Sequence, residues 1–324
     1  MACLLDSLEI GGLLFRNHIV MPPMYTGFAT TKGEVTEKLI NYYTRRCRAL
    51  GLLIIEHSYV TVNGKHSKKQ LGVYNKNLSP GLSKLSSRIQ ATGTLAVLQI
   101  NHAGRKTSSD ITGVKPVSSS TTDDARELKI EEIDRLIKIF ARAAELGIKS
   151  GFNGIEIHGA HGFLINQFTS PLTNHRVDKY GGNLDNRIRF SLEIVREVKK
   201  KIGNKLLLYR LGSDDLNPIG TKIWESQKLA IKLEEAGVDL IDVSGGICGS
   251  RPKKLHGVQG YFIPQAHKIK KVVNIPVIGV GGIKDPHFAN KLIQQKDVDL
   301  VAVGRQLLKD PDWAIKATEI IRNS

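Results

Sequence analysis

Eight short apolar runs, rich in β-branched residues, recur along the chain with longer mixed stretches between them. They are HIVM (18–21), LLIIEH (52–57), LAVLQI (95–100), GIEIH (154–158), LLLYRL (206–211), DLIDVS (239–244), IPVIGV (275–280) and DLVAVG (299–304). The runs are continuous rather than alternating, which predicts strands buried on both faces, as in a parallel sheet covered by helices. The stretch IEEIDRLIKIFARAAEL (130–146) keeps its apolar positions at helical spacing. Ser79-Pro80, Asp285-Pro286 and Asp310-Pro311 each place a capping residue before proline and predict helix starts. Gly93, Gly203 and Gly237 stand where helices should end.

Eight strands, each followed by a helical stretch, predict an α/β protein folded as a single (β/α)8 TIM barrel, with the active site at the C-terminal face of the strands. A doubly wound open sheet is the alternative, but no GxGxxG turn follows the first strand. A chain of 324 residues suits one such barrel, and no linker, repeat or low-complexity segment divides it. Residues 1–324 are therefore expected to form one domain, with 101–128 and 159–184 as long loops on the carboxyl face.

Composition narrows the class. The three cysteines, Cys3, Cys47 and Cys248, lie far apart without metal-ligand spacing, which argues against zinc, iron–sulfur and disulfide frameworks. The N-terminal MACLLDSLEIGGLLF has no basic leader and carries Asp6 and Glu9, so no secretory signal is expected. No run approaches the roughly 20 apolar residues of a membrane span. A cytoplasmic protein is the expectation. The formal charge of +16 raises nucleic acid as a partner, but the lysines are scattered and only 6% of residues are aromatic. Solvated helix faces account for the charge, and no nucleic-acid or membrane partner is expected. Assembly as a homo-oligomer is left open.

The strand ends carry the candidate chemistry. Strand one ends in Met21-Pro22-Pro23-Met24-Tyr25, strand two in Glu56-His57, and strand three near Gln99 and His102. Strand four ends at His158 and His161, strand five at Arg210, and strand six at Ser244-Gly245-Gly246. Strands seven and eight end in Gly281-Gly282 and Gly304-Arg305. Glycines there leave backbone N–H groups open to an anion, the usual phosphate site of this fold. Taken singly, each glycine pair reads equally well as a turn. Arg210, at a buried strand end, needs an anionic or acceptor partner. His158 and His161 read as a metal half-site, as structural histidines or as hydrogen-bond donors; no third metal ligand is evident, so no metal is expected.

The segments NHIVMPPM, GLLIIEHS, QINHAGRK, GIEIHGAHGFLINQFTSPLTNHRVDKYGGNLDNR, YRLGSDD, DLIDVSGG, VIGVGGI and VAVGRQLLKDPDW resemble the old yellow enzyme family, the NADH:flavin oxidoreductase and ene-reductase barrels, nearly end to end. The resemblance implies noncovalent FMN, with NAD(P)H as electron donor. It implies that Pro22, Pro23, Met24 and Tyr25 line the flavin ring and that His57 offers its backbone. Gln99 and Arg210 would hold the pyrimidine edge and ribityl chain, with Arg210 as the cation near N1/O2. Ser244, Gly245, Gly281, Gly282, Gly304 and Arg305 complete the implied cofactor site. His158 and His161 would donate to the carbonyl oxygen of an electrophilic alkene while hydride passes from flavin N5 to its β-carbon.

Two departures shape the functional expectation. The family usually has tyrosine two residues after the second histidine, as the proton donor; here Phe163 lines the substrate site instead. Tyr25 is the first candidate for a substitute donor and Tyr59 the next. Larger relatives add an iron–sulfur cluster and a dinucleotide-binding region after the barrel; neither is expected here, so NAD(P)H would reduce the flavin directly. The leading expectation is an FMN-dependent ene-reductase acting on enones or enoates. The alternatives are an NAD(P)H-oxidising flavoprotein that reduces oxygen or a quinone, and a non-redox phosphate-binding barrel.

Overall fold

The computed structural model describes residues 2–324. Its core is a closed barrel of eight parallel strands in sequential order: β1 (Ile19–Met21), β2 (Leu52–Tyr59), β3 (Leu95–Asn101), β4 (Gly154–Gly159), β5 (Leu206–Gly212), β6 (Leu240–Ser244), β7 (Val277–Val280) and β8 (Leu300–Ala302). Each of the eight apolar runs supplies one strand. β2 and β5 are buried along their whole length, which is why their sequences are continuous rather than alternating.

Eight helices surround the barrel: α1 (Glu37–Arg46), α2 (Ser79–Gln90), α3 (Ile130–Lys149), α4 (Leu184–Ile202), α5 (Ile223–Glu235), α6 (Ile263–Lys270), α7 (Pro286–Gln294) and α8 (Trp313–Arg322). α3 buries Ile133, Leu136, Ile137, Phe140 and Ala144 on one face, the stripe its sequence predicts. The Asp285 side chain caps α7, accepting from the His287 N–H, with Pro286 in the first turn. At Asp310-Pro311 the helix starts later than predicted. Asp310 accepts the Asp312 N–H at 3.1 Å, forming a turn first, and α8 begins at Trp313.

An N-terminal hairpin, Leu8–Ile10 paired with Leu13–Phe15, turns through Gly11 and Gly12, both at positive φ. Ile10 and Phe15 pack with Leu52, Ile54, Leu206, Leu240 and Leu300, closing the floor of the barrel with an apolar plug. One irregularity bears on function. Ile55 pairs with Leu98 and Ser58 with Ile100, so β2 carries one extra residue in the Glu56–His57 step. Such a bulge re-aims the side chains on its strand.

Candidate active site

Above the apolar floor the barrel interior turns polar. Register places Gln99 beside Glu156, and Arg210 beside both His158 and Asp242. Gln99 donates its amide N–H to Glu156 Oε1 at 2.7 Å, leaving its own carbonyl oxygen free to accept. Arg210 Nη1 lies 3.3 Å from Asp242, the anionic partner that a buried arginine requires. Burial and the neighbouring Asp242 push the Glu156 carboxyl well above its ordinary range, and burial raises that of Asp242 against the lowering effect of Arg210. Arg210 Nε, both Asp242 oxygens, Glu156 Oε2 and His158 Nδ1 are enclosed and accept or donate no hydrogen bond, the Arg210–Asp242 ion pair apart. That concentration of unsatisfied polar atoms at one end marks a ligand-binding layer.

The cofactor candidates converge on one side of this layer. Two adjoining cavities of about 130 and 330 Å3 share Arg251, Tyr261, Gly282, Ile283 and Arg305. The smaller also reaches Pro22, Met24, Arg210, Ser244 and Gly304. A Cβ at Gly304 would come within 3.0 Å of Met24 Sδ, and one at Gly281 within 2.6 Å of the Tyr261 N. Both glycines are therefore fixed by close approach, and Gly281 also by its positive φ of 137°. Arg305 donates to Tyr261 Oη at 3.1 Å, and neither Arg305 nor Arg251 has a carboxylate partner among the described residues. Two unpaired guanidiniums beside a glycine cradle, with Arg210 deeper in, fit a phosphate followed by a flavin. Sequence reasoning missed Arg251 and Tyr261 because RPKK read as solvated charge, although the arginine lies seven residues beyond the end of β6.

The histidines line the other side. His158 and His161 lie in edge-to-face contact, ring centroids 5.1 Å apart. Both are held neutral, well below the ordinary imidazole pKa. Burial dominates, and Arg210 and Lys106 repel a further positive charge. His161 adopts φ 57°, its N–H donates to the Gly245 carbonyl at 3.1 Å, and its Nε2 lies 2.7 Å from Ser244 Oγ. The strand-six Ser244-Gly245 pair thus fixes the second imidazole. Phe163 is buried, its ring 4.8 Å from His158 and 5.2 Å from His57. Tyr25 is 44% exposed, with its ring 5.7 Å from His57 at the edge of the site. Tyr59 is a correction: it is buried, stacks on Tyr74 and donates to the Lys32 carbonyl at 3.0 Å, so it cannot serve as a proton donor.

The long carboxyl-face loops are braced rather than free. Arg176 pairs with Asp178 and donates to the Ser119 and Leu128 carbonyls, while Asn174 donates to the Phe168 and Tyr180 carbonyls. Arg187 binds the Thr169 carbonyl and pairs with Glu225. Asp215 accepts from Ser170 Oγ, the Thr221 N–H and the Ile247 N–H, tying three loops together. The distinctive SPLTNHRVDKYGG segment therefore works as a frame behind the histidines.

Comparison with known proteins agrees with this architecture. Residues 4–323 match the NADH:flavin oxidoreductase / NADH oxidase family. An NADH oxidase from Thermoanaerobacter brockii is 44% identical over 324 residues, covering 96% of this chain and 50% of that protein. The chain thus spans half the length of that relative. An NADPH dehydrogenase from Clostridium acetobutylicum is 36% identical over 326 residues, covering 97% of this chain and 94% of that protein. The structure of an old yellow enzyme homologue from Zymomonas mobilis superimposes with a TM-score of 0.87 at 24% identity, covering 98% of this chain and 93% of that one, a likeness of fold. The family match and the relatives show that the chain belongs to the NADH:flavin oxidoreductase / NADH oxidase family, the old yellow enzyme group whose members use FMN with NAD(P)H.

Proposed function

We propose that this chain reduces activated carbon–carbon double bonds, with His158 and His161 holding the carbonyl oxygen of the substrate. The observation that carries the reading is the adjacent pair of neutral imidazoles, 5.1 Å apart at the mouth of β4 beside the Arg210 layer. Bound FMN, reduced by NAD(P)H, supplies the hydride. Pro22, Pro23, Met24 and Tyr25 would line its ring, and the His57 backbone would face it. Gln99 and Arg210 would meet the polar edge of the ring, and Gly281, Gly282, Gly304, Arg305 and Arg251 its phosphate. Two fixed N–H donors aimed at one oxygen stabilise the charge that grows there as the β-carbon accepts hydride. Ser244 and Gly245 set the orientation of His161, which spares reorganisation during the step.

Removing one such donor costs ~10²–10³ in rate. His158→Ala and His161→Ala should each slow anaerobic reduction of 2-cyclohexenone by that much while retaining FMN. Normal enone reduction by both variants would rule the clamp out. Phe163 favours a second reading, in which oxygen or a quinone takes the electrons and no proton donor is needed. Wild-type NADH and NADPH consumption with oxygen or menadione far above that with 2-cyclohexenone or maleimide would establish it. The non-redox reading is set aside by family membership. One domain over residues 1–324 and a cytoplasmic setting complete the proposal.

A further inference from the structure

Resting on that reading, we propose that the preferred substrates are alkenes conjugated to a carboxylate, with Lys106 and His57 taking up the carboxylate charge that the two-histidine clamp leaves unmet. A ketone presents one oxygen to the clamp. A carboxylate presents two, and hydride addition to an enoate builds a second negative charge on them. Neutral donors alone meet that charge poorly; a cation within reach changes the balance.

The side chains around Phe163 supply what the second oxygen needs. Lys106 Nζ lies 5.4 Å from the Phe163 ring centroid and is tied to the backbone of the clamp by donating to the His161 carbonyl at 2.6 Å. Its stem rests on the Gly162 turn, where an added Cβ would sit 3.2 Å from Lys106 Cε. Among the described residues Lys106 has no carboxylate partner, and the charged groups that bear on His158 and His161 are all cationic. The opposite flank of Phe163 is His57, whose tautomer is fixed by its surroundings. Gln70 Oε1 accepts the His66 N–H at 2.6 Å, which turns the Gln70 amide nitrogen toward His57. That nitrogen donates to His57 Nδ1 at 2.9 Å and to the His57 carbonyl at 2.8 Å, and Asn101 Nδ2 approaches Nδ1 at 3.3 Å. Nδ1 is therefore an acceptor and the proton sits on Nε2, which has no partner among the described residues and is not sealed off. The bulge at Glu56–His57 gives this ring its aim, 5.2 Å from Phe163 and 6.2 Å from His158. His66 closes the ring of groups, donating Nδ1–H to the Lys106 carbonyl at 2.5 Å and fixing that backbone.

The reaction balances without further reagents. NAD(P)H, by way of FMN where bound, would supply the two electrons as a hydride that the β-carbon accepts. The π electrons move onto the carboxylate as an enediolate held by His158, His161, His57 and Lys106. The α-carbon then takes one proton from water, leaving the saturated carboxylate and NAD(P)+.

A matched pair of substrates tests this: trans-cinnamate and 4-phenyl-3-buten-2-one, which share a skeleton and differ in the carboxylate. Lys106→Met should lower kcat/KM for cinnamate by about 10–100-fold, the range of a lost charge-assisted hydrogen bond. The ketone, which loses only the support Lys106 gives the His161 backbone, should lose several-fold less than cinnamate, with FMN retained, and Lys106→Arg should restore most of the cinnamate rate. His57→Phe should shift the same ratio in the same direction. Equal losses on both substrates, or no loss with Lys106→Met, would overturn the assignment. So would a wild type that reduces the ketone and ignores cinnamate. A wild type that reduces neither compound overturns the alkene-reductase reading itself.

Discussion

The two ends of the barrel interior follow opposite rules. At the amino end, Val20, Leu52, Ile54, Val97, Leu208 and Ile278 pack into an apolar floor sealed by Ile10 and Phe15 of the hairpin. At the carboxyl end, within a few residues along the same strands, Gln99, Glu156, Arg210 and Asp242 share a buried layer with unsatisfied polar atoms. One β5 segment shows both: Leu206 and Leu208 belong to the floor and Arg210 to the site. Alternation along one strand thus delivers stability at one end and chemistry at the other. The floor contributes burial without polar cost. The upper layer accepts the cost of buried charge in exchange for a place to bind one.

Arg210→Met should break this contrast most severely, because it strands Asp242 in the interior. Losing one member of a buried ion pair costs about 3–5 kcal/mol. The variant should also purify with little FMN, and any flavin that remains should have a lower reduction potential. Denaturant unfolding, the flavin-to-protein ratio and spectroelectrochemistry check the three parts. Full retention with an unchanged potential would mean that Arg210 serves only Asp242. Phe15→Ala tests the other end. Removing a fully buried phenylalanine from the floor should lower the unfolding free energy by about 3–5 kcal/mol, while kcat/KM below the transition temperature stays as in the wild type. A change in catalytic constants there would show that the two ends are coupled.

The third prediction concerns pH. Glu56, on the β2 bulge, accepts the Thr26 N–H at 3.1 Å and the Tyr43 hydroxyl at 3.3 Å, tying the strand-one loop to α1. Burial raises its pKa from 4.5 to about 7, against the lowering effect of those hydrogen bonds. Between pH 4.5 and 7 the native state therefore holds a proton that the unfolded chain has lost, so stability declines as pH rises through that window. From 4.5 to about 7, at ~1.4 kcal/mol per pH unit, the decline amounts to about 3 kcal/mol. Glu56→Gln keeps an acceptor for Thr26 and should flatten this part of the stability profile measured by urea unfolding. An unchanged slope would place the pH dependence elsewhere.

The sequence made the floor and all eight strands legible, because burial on both faces leaves a continuous apolar run that needs no partner to be recognised. The residues listed by position at the strand ends were legible for the same reason: the fold sends those positions to one face. The hairpin Leu8–Phe15 carries only the Gly11-Gly12 turn as a signal, inside an otherwise apolar N-terminus. Asp242 and Glu156 carried a weaker signal, single acids inside apolar runs, whose partners become visible only when β3 to β6 lie side by side. Gln70 had no local signal, and Asn101 and Lys106 lie in the QINHAGRK segment without any spacing that points to their roles. Their importance arises from contacts across loops, such as Gln70 with His57 thirteen residues away, which no periodicity encodes.

The smallest effect concerns Phe163, where the family pattern has a phenol and this chain has none. A positioned general acid is worth ~10²–10⁴ when nothing else donates. Here the ring lies among imidazoles and an ammonium, and with water as the proton source proposed above much of that advantage is already supplied. Phe163→Tyr should therefore raise turnover of neutral enones by no more than about tenfold and leave flavin reduction by NAD(P)H unchanged. Pre-steady-state measurement of the two half-reactions separates these outcomes. The ring is 7% exposed and packed 4.8 Å from His158, so the new hydroxyl must find room beside the clamp. Tyr25→Phe provides the control, since it should slow enone turnover only if Tyr25 already gives the proton. If Phe163→Tyr abolishes enone reduction while FMN stays bound, the ring is present to shape the substrate pocket. The two sides of the site would then be more tightly fitted than the floor beneath them.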